Sequence, residues 1–125
     1  MMFKLFKKGS ERSDEKNMNR LWDRYADGRL EKENYGMYVL CDYDGGVNGE
    51  GHSGFFFNNE AVLPHYTAEL SRILPPELYE NYLTAYHSYG TDSEDEVCEQ
   101  ADQFFYAHEQ QIIDIEQKYA NLTFQ

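Results

Sequence analysis

After Lys32 the chain almost runs out of basic residues. Residues 33–125 carry only Arg72 and Lys118 against seventeen acids, whereas residues 1–32 hold nine Lys/Arg against six acids. A body so charged repels phosphates, which excludes direct nucleic-acid binding by it and makes a basic protein its natural electrostatic partner. Cysteine is scarce too. Cys41 and Cys98 stand far apart without a CxxC, the pattern of free buried thiols in a reducing compartment, with the cytoplasm as the default. No apolar run approaches the length of a membrane span. The opening Met1-Met2-Phe3-Lys4-Leu5-Phe6-Lys7-Lys8 is too short for a secretory signal and lacks a cleavage region. Residues 1–12 read as a basic flexible tail ahead of an acidic helical domain over 13–125.

Proline is limited to Pro64, Pro75 and Pro76, and no alternation of polarity persists long enough to suggest a strand. At 125 residues the chain is one domain with one modest core. Ser13 is placed to cap a helix over about residues 14–27, with Met18, Leu21, Trp22 and Tyr25 inward and Gly28 as its stop. A second helix is expected over 31–43, ended by Asp44-Gly45-Gly46, with Gly36 allowing a close crossing. Asn59 is placed to cap a third over 60–73, with Pro64 in its first turn. A fourth should run from Pro76 to Tyr89. Thr91 and Glu94 form a capping-box signature for the last region. Its stripe is Val97, Ala101, Phe104, His108, Ile112, Ile115, Tyr119 and Leu122. That spacing fits one long helix or two with a kink near Tyr106–His108. The fold class is all-α, five to six helices around a Gly-rich corner and a Phe cluster.

That corner is Val47-Asn48-Gly49-Glu50-Gly51-His52-Ser53-Gly54-Phe55-Phe56-Phe57-Asn58-Asn59. Glycine permits a sharp turn and the Phe triplet demands burial. Phe55 and Phe56 are expected in the core, with Asn48 and Asn58 tying backbone groups and His52 locking the turn.

Little here carries chemistry. Asp42, Asp44, Asn48 and Glu50 invite a calcium loop, but the register places Val47 at the turn glycine and Ser53 or Phe55 at the terminal acid. His52, His65, His87 and His108 show no metal-type pairing such as HExxH, and each reads as structural. No base stands near either cysteine. Glu50 occupies the place where a phosphate loop would put lysine. No cofactor or metal is expected. The acids Asp92, Asp95, Glu96, Glu99 and Asp102 recur at helical spacing opposite the apolar stripe. Like charges so placed cost a helix a few tenths of a kcal/mol per pair, about 0.2–0.5. A face that accepts this cost without intervening lysines suits a basic partner, and it suits plain solubility equally.

The corner also resembles the signature of a family of small, acidic, mainly helical bacterial proteins, approximately Val-Asn-Asn-Gly-Gly-His/Phe-x-Gln-aromatic-aromatic-x-Asn. Val47, Asn48, Gly51, His52, Phe55, Phe56 and Asn58 match it. Gly49, Glu50 and Gly54 depart from the usual Asn, Gly and Gln. Asp102-Gln103-Phe104-Phe105 and Ile115–Tyr119 are similar to the family's terminal helix, so the resemblance spans about residues 30–122. It implies an all-helical domain without a cofactor or an established catalytic site. The family's best-known member is a DNA mimic, whose carboxylates stand in for duplex phosphates in a basic groove. The expected function is therefore non-enzymatic binding of a basic, DNA-binding protein through the acidic face. The alternatives are an immunity- or antitoxin-like inhibitor, and a small metal-dependent hydrolase built on Asp42, Asp44 and His52. The sequence leaves the oligomeric state open, a homodimer included.

Overall fold

A computed structural model describes the backbone of residues 2–125 and the side chains from Arg12 onward. Apart from Arg12, the side chains of the basic tail assigned to residues 1–12 lie outside the described residues. Six α-helices and one 3-10 turn follow in order, with no strand among the described residues: α1 (Met2–Ala26), α2 (Arg29–Glu33), α3 (Tyr35–Asn58), the 3-10 turn (Glu60–Val62), α4 (Leu63–Ile73), α5 (Pro76–Ser88) and α6 (Glu94–Thr123). The all-α expectation holds. Helix α6 is the spine against which α1, α3 and α5 pack, while α2 and α4 lean on α3. None of the described helices is long and apolar enough to cross a membrane.

Several helix ends fall where local chemistry puts them. Gly28 (φ 86°) and Gly90 (φ 81°) follow α1 and α5 in the left-handed conformation, which glycine adopts without a Cβ penalty. Pro64 and Pro76 occupy first turns, where a missing N–H costs nothing. Gly36 serves the close crossing expected of it. A Cβ there would stand 3.0 Å from Ile73 Cδ1 on α4.

Other expectations are corrected. Helix α1 runs through Ser13, which therefore caps nothing. The helix expected over 31–43 is instead the one-turn α2 followed by α3. The break is Asn34, whose side chain accepts from Met37 N–H at 3.1 Å, an N-cap that withdraws one residue from the helix. Asn59 donates its amide back to Phe55 O at 2.8 Å and does not cap the next helix. Helix α6 begins at Glu94, so Asp92 lies in the preceding turn. Glu94 reaches back to Gly90 N–H at 2.8 Å, one residue beyond the expected capping box. It is one continuous helix of 30 residues. Its innermost residues are Cys98, Ala101, Phe105, Ile112, Glu116 and Ala120, while Leu122 faces solvent. The stripe is thus displaced about one residue from the expected one, because three neighbouring helices cover a broad face instead of one narrow seam.

The largest correction concerns the corner. Gly45, Gly46 and Gly49 do not end a helix but lie inside α3, whose helical geometry fails only at Gly51 (φ 72°, ψ 178°). Gly46 is there for proximity, since a Cβ would meet the Phe55 ring at 2.8 Å. The two arms of α3, 35–50 and 52–58, fold over a knot of rings. Tyr43 lies at its centre, edge-on to His52, Phe55, Tyr82 and Phe105 with centroids 5.3–5.5 Å apart, the arrangement that ring quadrupoles favour. Phe55 and Phe56 are buried as expected.

The backbone at Gly51 is a conformation nearly restricted to glycine, costing any other residue about 1–3 kcal/mol. A Cβ there would also stand 2.6 Å from Asp102 Oδ2. Gly49 is helical with open space around it. In chemical denaturation, Gly51→Ala is expected to lose at least that 1–3 kcal/mol, while Gly49→Ala gains about 0.5–1 kcal/mol from helix propensity.

Candidate functional site

Breaking α3 at Gly51 leaves polar backbone groups without their helical partners, and α6 supplies replacements. Asp102 Oδ1 accepts from His52 N–H at 2.8 Å and from the His52 ring Nδ1 at 2.6 Å. Its carboxylate thus caps the second arm of α3, where a helix N-terminus favours negative charge. One turn later, Tyr106 O–H donates to Val47 O at 3.1 Å, among the last carbonyls of the first arm. Asn48 donates its amide to Asp44 O and Asp44 Oδ1, each at 2.9 Å, and to Glu109 Oε2 at 2.6 Å. Positions 102, 106 and 109 share one face of α6, and together they hold the bend.

The far nitrogen of His52, Nε2, stands 2.7 Å from the Tyr43 hydroxyl. With Nδ1–H given to Asp102, Nε2 is left to accept from Tyr43 O–H. Burial among rings pushes the Tyr43 phenol well above its ordinary pKa. Hydroxyl, imidazole and carboxylate in line resemble a nucleophile relay. Tyr43 and His52 are both fully buried, however, so the line of three braces the core and presents no reactive atom to solvent.

Asp42, Asp44 and His52 do not form one centre. Asp42 accepts from Tyr25 O–H and from Tyr66 O–H (2.8 Å), tying α1, α3 and α4 together. Burial and this carboxylate hold both phenols protonated. Asp44, itself buried, points into the α3–α6 interface, where it meets Glu116, a second acid whose burial opposes its charge. Glu116 is 1% exposed, and its Oε2 has no ordinary donor nearby. Both carboxyls are held well above the usual carboxylate range, chiefly by burial. A proton on Glu116 donates to Asp44, and the pair carries one charge fewer than its formula. Sequence reasoning missed Glu116, although Ile112–Glu116–Ala120 is an inward i, i+4 series. Among the described residues, no group of three His, Cys, Asp or Glu is arranged to hold a metal.

The remaining nominated residues separate by exposure. Asp92, Asp95, Glu96 and Glu99 face solvent, whereas Asp102 is half-buried and committed to His52. Asp102 therefore belongs to the bend and not to the outward acidic face, since it lies between the buried Ala101 and Phe105. Asn58 donates to Glu50 Oε2 at 2.6 Å, a side-chain partner and not the expected backbone one. A Cβ at Gly54 would stand 2.4 Å from Glu50 Cβ, so the departures from the resembled pattern at 50 and 54 are one packing event. His65 and His87 are exposed, and His108 stacks on Phe104 with Nδ1 2.8 Å from Phe104 O. Cys41 and Cys98 are free and buried, and burial raises the Cys41 thiol. In comparison with known proteins, no family model, no curated protein and no solved structure matches this chain.

Removing the Asp102 carboxylate leaves His52 with two buried donors unpaired. Asp102→Ala is expected to cost on the order of 3 kcal/mol in denaturant unfolding, and Asp102→Asn less, because its amide oxygen still accepts. The raised carboxyls of Asp44 and Glu116 set the sign of a pH dependence. The native state binds more protons than the unfolded chain above about pH 4, so the stability these groups allow is fully present below that and declines as pH rises through neutrality. Urea midpoints measured from pH 5 to pH 9 should fall, and Glu116→Gln, which keeps a donor without a titrating proton, should flatten the slope.

Proposed function

We propose that this chain is a non-enzymatic protein-binding module whose acidic helical face engages a basic protein partner. The observation that carries the reading is the row Asp92, Asp95, Glu96 and Glu99. These acids are exposed at the start of the spine helix, and no basic side chain among the described residues pairs with any of them. Glu94, Asp95 and Glu96 lie in the first turn of α6, where the helix dipole favours them. Glu99 lies beyond that turn, and no Lys or Arg interrupts residues 92–117. Held on a rigid helix, these carboxylates form a fixed array of negative charge that needs little ordering on binding.

In its sharper form the partner is a DNA-binding protein and the carboxylates replace duplex phosphates. That form draws on the resemblance at residues 47–58 and on the net charge of −12. Residence in the cytoplasm belongs to the same reading, supported by two free buried thiols.

Titration of the protein against polylysine, followed by calorimetry, is expected to show association that weakens roughly tenfold or more between about 50 and 300 mM salt. Reversing Asp95, Glu96 and Glu99 to Lys together should abolish most of it, at a cost of about 1–2 kcal/mol in stability because two first-turn acids become cations, with the fold retained by circular dichroism. Salt-independent binding, or binding unaffected by the reversal, would sink the reading. Displacement of a basic DNA-binding protein from labelled duplex DNA tests the sharper form.

A further inference from the structure

The third ring of the Phe triplet does not share the fate of the other two. Phe57 is 71% exposed at the end of the second arm of α3. It lines an open cleft of about 520 Å³ with Tyr89, Glu60 and Glu94, in which Gly54 and Gly90 contribute no side chain. Tyr89 is fixed from behind by Phe56, ring centroids 5.5 Å apart, and its hydroxyl donates to Glu60 Oε2. Glu94 is fixed by the Gly90 N–H at 2.8 Å. The cleft thus brings together two aromatic rings and two carboxylates, each carboxylate already holding a neutral donor. No basic side chain among the described residues pairs with either acid. Glu94 also begins the helix that carries Asp95, Glu96 and Glu99, so the cleft is continuous with the acidic face.

We infer that this cleft is the anchor point of the acidic face and receives an arginine side chain of the basic partner. The inference rests on the binding reading proposed above. A guanidinium is planar, weakly hydrated and stacks on aromatic faces, while its edge presents a fork of N–H donors to carboxylates. A lysine ammonium offers neither the plane nor the fork. A symmetric contact with a second copy would bring Glu60, Glu94 and their acidic neighbours against their own images, and an anionic lipid surface would be repelled in the same way.

The test compares two labelled peptides of equal charge, alternating Gly-Arg and alternating Gly-Lys, by fluorescence anisotropy at low salt. The wild-type protein is expected to bind the arginine peptide about 2- to 5-fold more tightly than the lysine peptide. Phe57→Ser should erase that preference without changing the affinity for the lysine peptide or its salt dependence. Because Phe57 is exposed, the variant is expected to fold normally, which its unfolding midpoint checks. Salt-sensitive binding of both peptides with no arginine preference, or a preference that survives Phe57→Ser, would overturn the anchor and leave the acidic-face reading standing. Failure of both peptides to bind would overturn the two together. Self-association of the free protein that Phe57→Ser abolishes would assign the cleft to a second copy and overturn the arginine assignment.

Discussion

The structure depends on one polar clasp, in which a single face of α6 takes over the hydrogen bonds that α3 gives up at Gly51. A helix interrupted inside a core strands donors and acceptors, each costing about 1–3 kcal/mol if left unpaired. Asp102 takes the stranded His52 N–H and Tyr106 reaches the Val47 carbonyl, while Glu109 accepts from the Asn48 side chain just before the break. A straight helix delivers such groups at three- and four-residue steps, matching the length of the broken turn. With the bend secured, Phe55 and Phe56 swing into the ring cluster around Tyr43, and Phe57 is left on the outside.

The clasp also redistributes the acidity. Several acids that inflate the formal charge serve inside the fold: Asp42 under two tyrosines, Asp44 and Glu116 sharing a proton, and Asp102 on His52. The outward field is therefore weaker than the composition implies and more localised. The closest run of exposed acids in the sequence, Asp92, Asp95, Glu96 and Glu99, lies where α6 begins, next to the cleft that Phe57 lines. Partly screened charges in water discriminate poorly between basic partners, whereas an oriented ring beside a carboxylate distinguishes one cation from another. Proximity of the two is a consequence of the bend, because the second arm of α3 ends against the turn before α6.

Much of this was legible in the residues. The helical class, the stops at Gly28 and Gly90, the prolines in first turns, the close crossing at Gly36 and the burial of Phe55 and Phe56 all follow from backbone preference and local periodicity. Those properties belong to a residue and its near neighbours, so one chain suffices to read them. The glycines at 45, 46 and 49 misled for the same reason. Local propensity makes them stops, and only the Phe55 ring lying across Gly46 shows that this one is there for close packing. Asp102 and Glu116 were opaque in a different way. An acid on a helix faces water or the core according to which other helices arrive beside it. Three packed helices decided that for α6, two of them (α1 and α3) far away in sequence and the third (α5) just before it. Helical spacing states which residues share a face. Only the assembled neighbours decide which face is covered, and therefore which carboxylates are structural and which remain free to meet a partner.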